Sequence, residues 1–157
     1  MSLDRPRRAA MSGEYRVQDI MTGAPVTIEA SAKLLDAALL LRSASIRHLL
    51  VVEGETLVGI LSDRDLQRYA PSRLVSITEQ EYNAVFTSTL VGRVMTPNPR
   101  TISPTATLLE AIAVFQELRH GCLPVVNGAR LVGILTRWDL VEAFRQVLNG
   151  EPVGRRG

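Results

Sequence analysis

Cysteine is almost absent: Cys122 is the only one in 157 residues. A lone thiol excludes an intramolecular disulfide and makes a reducing compartment the expectation. It leaves no second cysteine for a thiolate metal site, and the two histidines form no cluster that would replace one. Lysine is nearly absent too. Lys33 is the single one among 18 cations, so positive charge is carried by Arg. Those Arg residues are spread along the chain, apart from RPRR at 5–8 and Arg155-Arg156, and 16 acids leave a net charge of +2. No basic stripe of the kind nucleic acid requires is present, so nucleic acid is not an expected partner.

Long apolar runs are missing as well. The richest, LLDAALLL at 34–41, is interrupted by Asp36 and falls far short of the roughly 20 residues that span a bilayer. The opening MSLDRPRRAAMSGEYR holds no apolar run of the kind a secretory signal needs. The expectation is a cytoplasmic chain without a membrane partner. Hydrophobic residues at 46% and charged residues at 22% are proportions of a globular chain, not a disordered one.

What is present is a repeat. A displacement of 74 residues, the distance from Gly59 to Gly133, aligns 17–70 with 91–144 without a gap. Met21-Thr22 falls on Met95-Thr96, Pro25 on Pro99, Thr27-Ile28 on Thr101-Ile102, and LVGIL on LVGIL. A gapless match of this length marks a duplicated unit. The chain reads as a tail over 1–16, a first motif over 17–70, a connector over 71–90, a second motif over 91–148 and a polar tail over 149–157. Both tails are expected to be mobile. A short helix is expected within the connector at Glu79–Phe86.

Each copy reads strand, helix, strand, strand, helix. VTI (Val26–Ile28) and RTI (Arg100–Ile102) follow or adjoin Pro and are extended. Ser31 and Thr105 are the expected N-caps of the first helix in each copy. LLVVEGETLVGIL and LPVVNGARLVGIL are hairpins, with Glu53-Gly54 and Asn127-Gly128 expected at their turns. A second helix starts at Ser62 or Thr136. One such unit buries too little surface to stand comfortably alone, so the two are expected to form one pseudo-symmetric α+β body.

The repeated segment GILSDRD (59–65) and GILTRWD (133–139) admits two readings. In the first, Ser62 with Asp65, and Thr136 with Asp139, are capping boxes with Asp in place of Glu. In the second, the helix N-terminus and its hydroxyl receive a phosphate while the carboxylate accepts from a ribose diol. Both copies carry the pattern, and a duplicated cap would also appear twice.

Together, IMTGAPVTI and VMTPNPRTI, IRHLLVV and HGCLPVV, GILSDRD and GILTRWD resemble the tandem cystathionine-β-synthase (CBS) domain pair, or Bateman module. SDRDL and GCLPVV are similar to the small stand-alone pairs of the acetoin-utilisation accessory type. The resemblance implies tandem β-α-β-β-α repeats packed as a pseudo-two-fold CBS pair, with clefts between the repeats for AMP, ADP, ATP or S-adenosylmethionine. By the same resemblance Ser62 and Thr136 touch phosphate, and Asp65 and Asp139 hold ribose hydroxyls. The resemblance also gives Thr27-Ile28, Thr101-Ile102, Val51 and Val125 to the adenine, with Gly59, Gly133 and Pro124 in the motif framework. Arg64, Arg137 and His48 are candidates for added phosphate contacts. The copies depart from the pattern at Leu50, where Pro is common, and at Trp138, which either stacks on a ligand or crowds it.

The remaining chemistry-bearing residues read as structural. His48 and His120 lack a nucleophile at a recognisable spacing. Cys122 reads as a small buried apolar residue, Met21 and Met95 as core, and Asp63–Asp65 as too few ligands for a metal. No catalytic constellation is apparent. Three functions remain in view: a nucleotide sensor, expected to be a homodimer that acts on a regulated protein; a dimerisation or interaction module with no nucleotide; and, least supported, an enzyme.

Overall fold

A computed structural model describes residues 15–72, 76–119 and 121–155. In chain order the elements are α1 (Val17–Ile20), β1 (Thr22–Gly23), β2 (Thr27–Glu29), α2 (Leu34–Ser43), β3 (His48–Glu53), β4 (Thr56–Ser62) and α3 (Asp63–Tyr69). There follow α4 (Glu79–Ser88), α5 (Val91–Val94), β5 (Thr96–Pro97), α6 (Leu108–Glu117), β6 (Cys122–Asn127), β7 (Arg130–Thr136) and α7 (Arg137–Leu148). The mixture of helix and sheet is the expected α+β class. The connector helix expected at Glu79–Phe86 is α4.

The chain divides into two compact units. The central unit is Val26–Pro99; the split unit joins the segment ending at Pro25 to the segment beginning at Arg100. The cuts fall at Pro25 and Pro99, which coincide under the 74-residue displacement. Each unit is therefore the body of one repeat closed by the lead-in of the other, so units and sequence repeats divide the chain at different places.

In the central unit the sheet order is β2-β3-β4-β5, with β2 parallel to β3 and the other pairs antiparallel. Its core is apolar: Leu34, Ala37, Leu49, Val51, Leu61 and Val91 are among the buried residues. In the split unit the order is β1-β7-β6, both pairs antiparallel. Val17, Ile20, Phe115, Leu123, Val125 and Leu135 lie in its core. Alternation explains the hairpins only in part. β3 is buried at four consecutive positions, as befits a strand covered on both faces.

Pro124 accounts for a difference between the copies. Leu50 N–H donates to Val26 O, and three residues of β2 pair with β3. Pro124 stands at the Leu50 position and has no N–H to donate. Pro104 stands likewise at the Ala30 position and cannot make the bond that Ala30 N–H donates to Val52 O at 2.9 Å, so the parallel pairing shrinks to the single bridge Ile102–Val125, held by Ile102 N to Pro124 O at 3.0 Å and Val126 N to Ile102 O at 2.9 Å.

Three local expectations are corrected. The first helices are capped at Lys33 and Thr107, not at Ser31 and Thr105. Glu110, three residues after Thr107, accepts from the Thr107 backbone N–H at 2.7 Å and makes that position the reciprocal cap. Asp36 accepts from Lys33 N–H in the other copy. The hairpin turns are Gly54-Glu55 and Gly128-Ala129, because Glu53 pairs with Thr56 and Asn127 with Arg130. Gly54 (φ 62°) and Gly128 (φ 63°) take the left-handed first turn position, which displaces the expected Asn-Gly turn by one residue. Lastly, residues 149–155 are pinned rather than loose. Buried Gln146 donates to Gly154 O and accepts from Gly154 N–H, both at 2.9 Å. Arg145 bridges Glu142 and Glu151 at 2.8 and 3.1 Å. The expected N-terminal tail lies, up to residue 14, outside the described residues, as does His120.

Candidate functional site

Each copy of the repeated heptapeptide runs from the end of a hairpin arm into a helix. β4 ends at Ser62, which caps α3; β7 ends at Thr136, which caps α7. Ser62 Oγ accepts from Asp65 N–H at 3.2 Å, and Thr136 Oγ1 accepts from Asp139 N–H at 3.3 Å. The acids return the contact. Asp65 Oδ2 accepts from Ser62 N–H at 2.8 Å and Ser62 Oγ–H at 2.7 Å. Asp139 Oδ2 accepts from Thr136 N–H at 2.6 Å and Thr136 Oγ1–H at 2.7 Å. These are complete capping boxes, so the structural reading of the motif holds.

The cap consumes one oxygen of each acid. Oδ1 of Asp65 and of Asp139 makes no hydrogen bond among the described residues, and both residues are half-exposed. A carboxylate whose orientation is set by its cap, with its other oxygen uncommitted, can accept from an incoming hydroxyl.

The two helix starts differ in their remaining donors. At α3, Asp63 N–H donates to Arg47 O at 3.1 Å, and Arg64 N–H donates to Asp63 Oδ1 at 2.8 Å. With Asp65 N–H on Ser62, every donor of that first turn is used, and an extra carboxylate sits there. At α7, Arg137 replaces Asp63; its N–H donates to Gly121 O at 3.0 Å, while Trp138 N–H has no partner among the described residues. The α7 start is the better anion acceptor, since it keeps a donor and adds no carboxylate at its first position. The difference is written in the sequence as SDRD against TRWD, but the shared spacing of the two motifs hides it.

The other expected site residues fall as follows. His48 pairs opposite Ser62 across the hairpin and is half-buried; Cys122, not His120, occupies the matching place opposite Thr136. Thr27 and Thr101 are exposed, whereas Ile28 and Ile102 are buried. Val51 and Val125 have no exposed surface and belong to the two cores. Pro124 is buried in β6. Arg64 is exposed. Arg137 braces a neighbouring helix, because its Nη2 donates to Leu118 O at 2.7 Å and Phe115 O at 3.4 Å, capping the carbonyl end of α6. Gly59 and Gly133 make room for methionine. A methyl on Gly133 would lie 2.6 Å from Met21 Sδ and 2.8 Å from Thr22 O; one on Gly59 would collide with Met95 Sδ. Among the described residues no group of three His, Cys, Asp or Glu gathers as a metal site, and no helix is long and apolar enough to cross a membrane.

The CBS-domain family model matches residues 17–72 and 91–146, both repeats. The chain belongs to the CBS-domain family. A CBS domain-containing protein of Dictyostelium discoideum is 32% identical over 139 residues, 87% of this chain and 94% of that one. The structure of an acetoin utilization protein (AcuB) from Vibrio cholerae superposes with a TM-score of 0.70 at 33% identity, covering 86% of this chain and 93% of that one. The structure of CBSX2 in complex with AMP has a TM-score of 0.69 at 31% identity, covering 85% of this chain and 98% of that one. The CBS pair is thus the architecture this chain shares.

Proposed function

We propose that this CBS pair is a cytoplasmic regulatory module that binds an adenosine-containing nucleotide at its Ser/Thr-x-x-Asp helix starts and passes the change to a regulated protein. One observation carries the reading. Each helix start holds its acid in a fixed orientation by Oδ2 and leaves Oδ1 uncommitted, and a relative of 31% identity is known in complex with AMP. Asp65 and Asp139 accept from ribose hydroxyls, and the hydroxyls of Ser62 and Thr136 turn to phosphate. The rings of AMP, ADP, ATP and S-adenosylmethionine are alike, so the polar end decides among them. Thr27-Ile28 and Thr101-Ile102 line the adenine by backbone and exposed threonine. The α7 start is the stronger of the two, for the donor reasons given above. The chain works as a homodimer, and its activity is binding rather than turnover.

A second reading has its own support. Each Ser/Thr-x-x-Asp set forms a complete capping box, which gives the motif a structural role in its own right, and on that reading the chain serves as a dimerisation module alone. Thermal unfolding with each of AMP, ADP, ATP and S-adenosylmethionine separates the two. A ligand that binds only the folded chain adds RT ln(1 + [L]/Kd), about 2.7 kcal/mol at a hundredfold excess over Kd. One nucleotide is expected to raise Tm, and Asp139→Ala is expected to shrink the ligand-induced rise more than Asp65→Ala does. No rise at millimolar nucleotide hands the chain to the second reading.

A further inference from the structure

In the central unit, residues of α2, α3 and α4 line a groove of about 350 Å³. That volume falls within the roughly 300–1,000 Å³ of small-molecule sites. Its lining is mainly apolar. Leu41 and Leu66 are buried there, the small Ala38 and Ala70 leave room, and α4 contributes Tyr82 and Phe86. The two rings stand 5.7 Å apart and tilted.

Two opposite charges share this groove without meeting. Arg42, in the last turn of α2, and Asp63, the first residue of α3, both line it. No ion pair joins them, and the Arg42 guanidinium has no hydrogen-bond or ionic partner among the described residues. Asp63 Oδ1 accepts from Arg64 N–H at 2.8 Å, while Oδ2 makes no hydrogen bond among the described residues. Each charge suits the dipole of its own helix end, so each is tolerated where it stands. A cation and an anion held apart beside an apolar space match one kind of molecule, a zwitterion with an apolar body.

The duplication supplies a control. Under the 74-residue displacement Arg42 becomes Gln116, Asp63 becomes Arg137, and Ala38 and Ala70 become Ile112 and Phe144. Arg137 is already committed to the carbonyls of Phe115 and Leu118. The split unit also has no helix equivalent to α4 among the described residues. The charges and the space thus occur together in one copy and are both gone from the other, which marks them as a ligand site and not shared scaffold.

We propose that this groove binds a free α-amino acid with a branched or aromatic side chain. Its carboxylate meets Arg42, its ammonium meets Asp63, and its side chain lies against Ala38, Ala70 and the two rings. That side chain is buried between α4 and the α2–α3 pair, so the bound amino acid ties the connector to the central unit. The site uses neither Ser62 nor Asp65, and its test needs no nucleotide, so it stands or falls apart from the function proposed above.

Calorimetric titration of the full chain with leucine, phenylalanine and glycine tests the proposal. Isocaproate and isoamylamine serve as leucine without its ammonium and without its carboxylate. Leucine or phenylalanine is expected to bind and to shift the Tyr82 ring and Ala70 methyl resonances. Glycine, isocaproate and isoamylamine are each expected to bind roughly tenfold more weakly or worse, the cost of losing the apolar body or one charged contact. Arg42→Gln removes the carboxylate's partner, and Ala70→Phe plants the split unit's own residue in the groove; each is expected to weaken binding by a similar factor. No binding of leucine or phenylalanine at millimolar concentration overturns the proposal. Binding that leaves the Tyr82 and Ala70 resonances in place, equal binding of isocaproate or isoamylamine, or an affinity unchanged in both variants overturns it equally. The comparison of ligands on the wild-type chain decides the matter even where a variant does not fold.

Discussion

Gly133 has a neighbour that no sequence pattern shows. Its missing side chain is filled by Met21 from a segment more than a hundred residues earlier, and Thr22 O closes the space from the backbone side. Gly59 stands in the same relation to Met95 and Thr96. A methionine side chain can rotate away, but a strand carbonyl cannot without breaking its pairing. Gly133→Ala is therefore expected to destabilise the chain by about 1–3 kcal/mol, the usual cost of overpacking. Gly59→Ala should cost less, because the nearest backbone atom there is Thr96 O at 3.0 Å rather than 2.8 Å. Urea denaturation of both variants gives the order. At this scale the sequence was informative where partners are three residues apart, as in Ser62-x-x-Asp65. It offered Arg137 as a phosphate contact and gave no sign of its carbonyl partners, which belong to a different helix and are found only after folding.

Individual elements show why local signals go astray. Ser31 is a good cap by residue type, yet the helix begins at Leu34 because the chain first bridges Lys33 to Leu90 in the central unit. Tertiary pairing outranks the local preference. The two reciprocal caps ending in glutamate give an acid-dependent prediction. Glu81 and Glu110 both have carboxyl pKa values below their usual 4.5, held down first by the backbone N–H of Thr78 and Thr107 and then by the same residues' hydroxyls. A lowered pKa in the folded state means stability that is present above the unfolded value and lost as pH falls through the folded one. The N-terminal turns of α4 and α6 are thus expected to fray as pH falls below the ordinary glutamate range. Carboxyl carbon NMR should report both midpoints under 4.5, and Thr107→Ala, which removes the hydroxyl but keeps the backbone N–H, should raise only the Glu110 midpoint and only part of the way to the ordinary range. An unchanged Glu110 midpoint in that variant would contradict the assignment.

On the scale of the whole molecule, the duplicated sequence made the class of fold and its number of copies legible, because a gapless 74-residue displacement leaves little choice of architecture. It did not reveal which lead-in closes which sheet. Nothing local distinguishes β5 pairing with β4 from β1 doing so. A fragment cut by repeat, residues 17–72, carries β3 and β4 without β5 and leaves Gly59 without its methionine. A fragment cut by unit, Val26–Pro99, keeps both. Far-UV circular dichroism and amide dispersion are expected to show an ordered 26–99 fragment and a largely unfolded 17–72. Equal order in the two would mean that the lead-in adds nothing.

The traded lead-ins also say what a single copy would lack. One repeat alone carries no second lead-in in its own chain, so its sheet would find a closing strand only on another molecule, whereas here one covalent chain supplies both arms. The exchange survives the differences between the copies: serine against threonine at 62 and 136, leucine against proline at 50 and 124, and an acid against an arginine at 63 and 137.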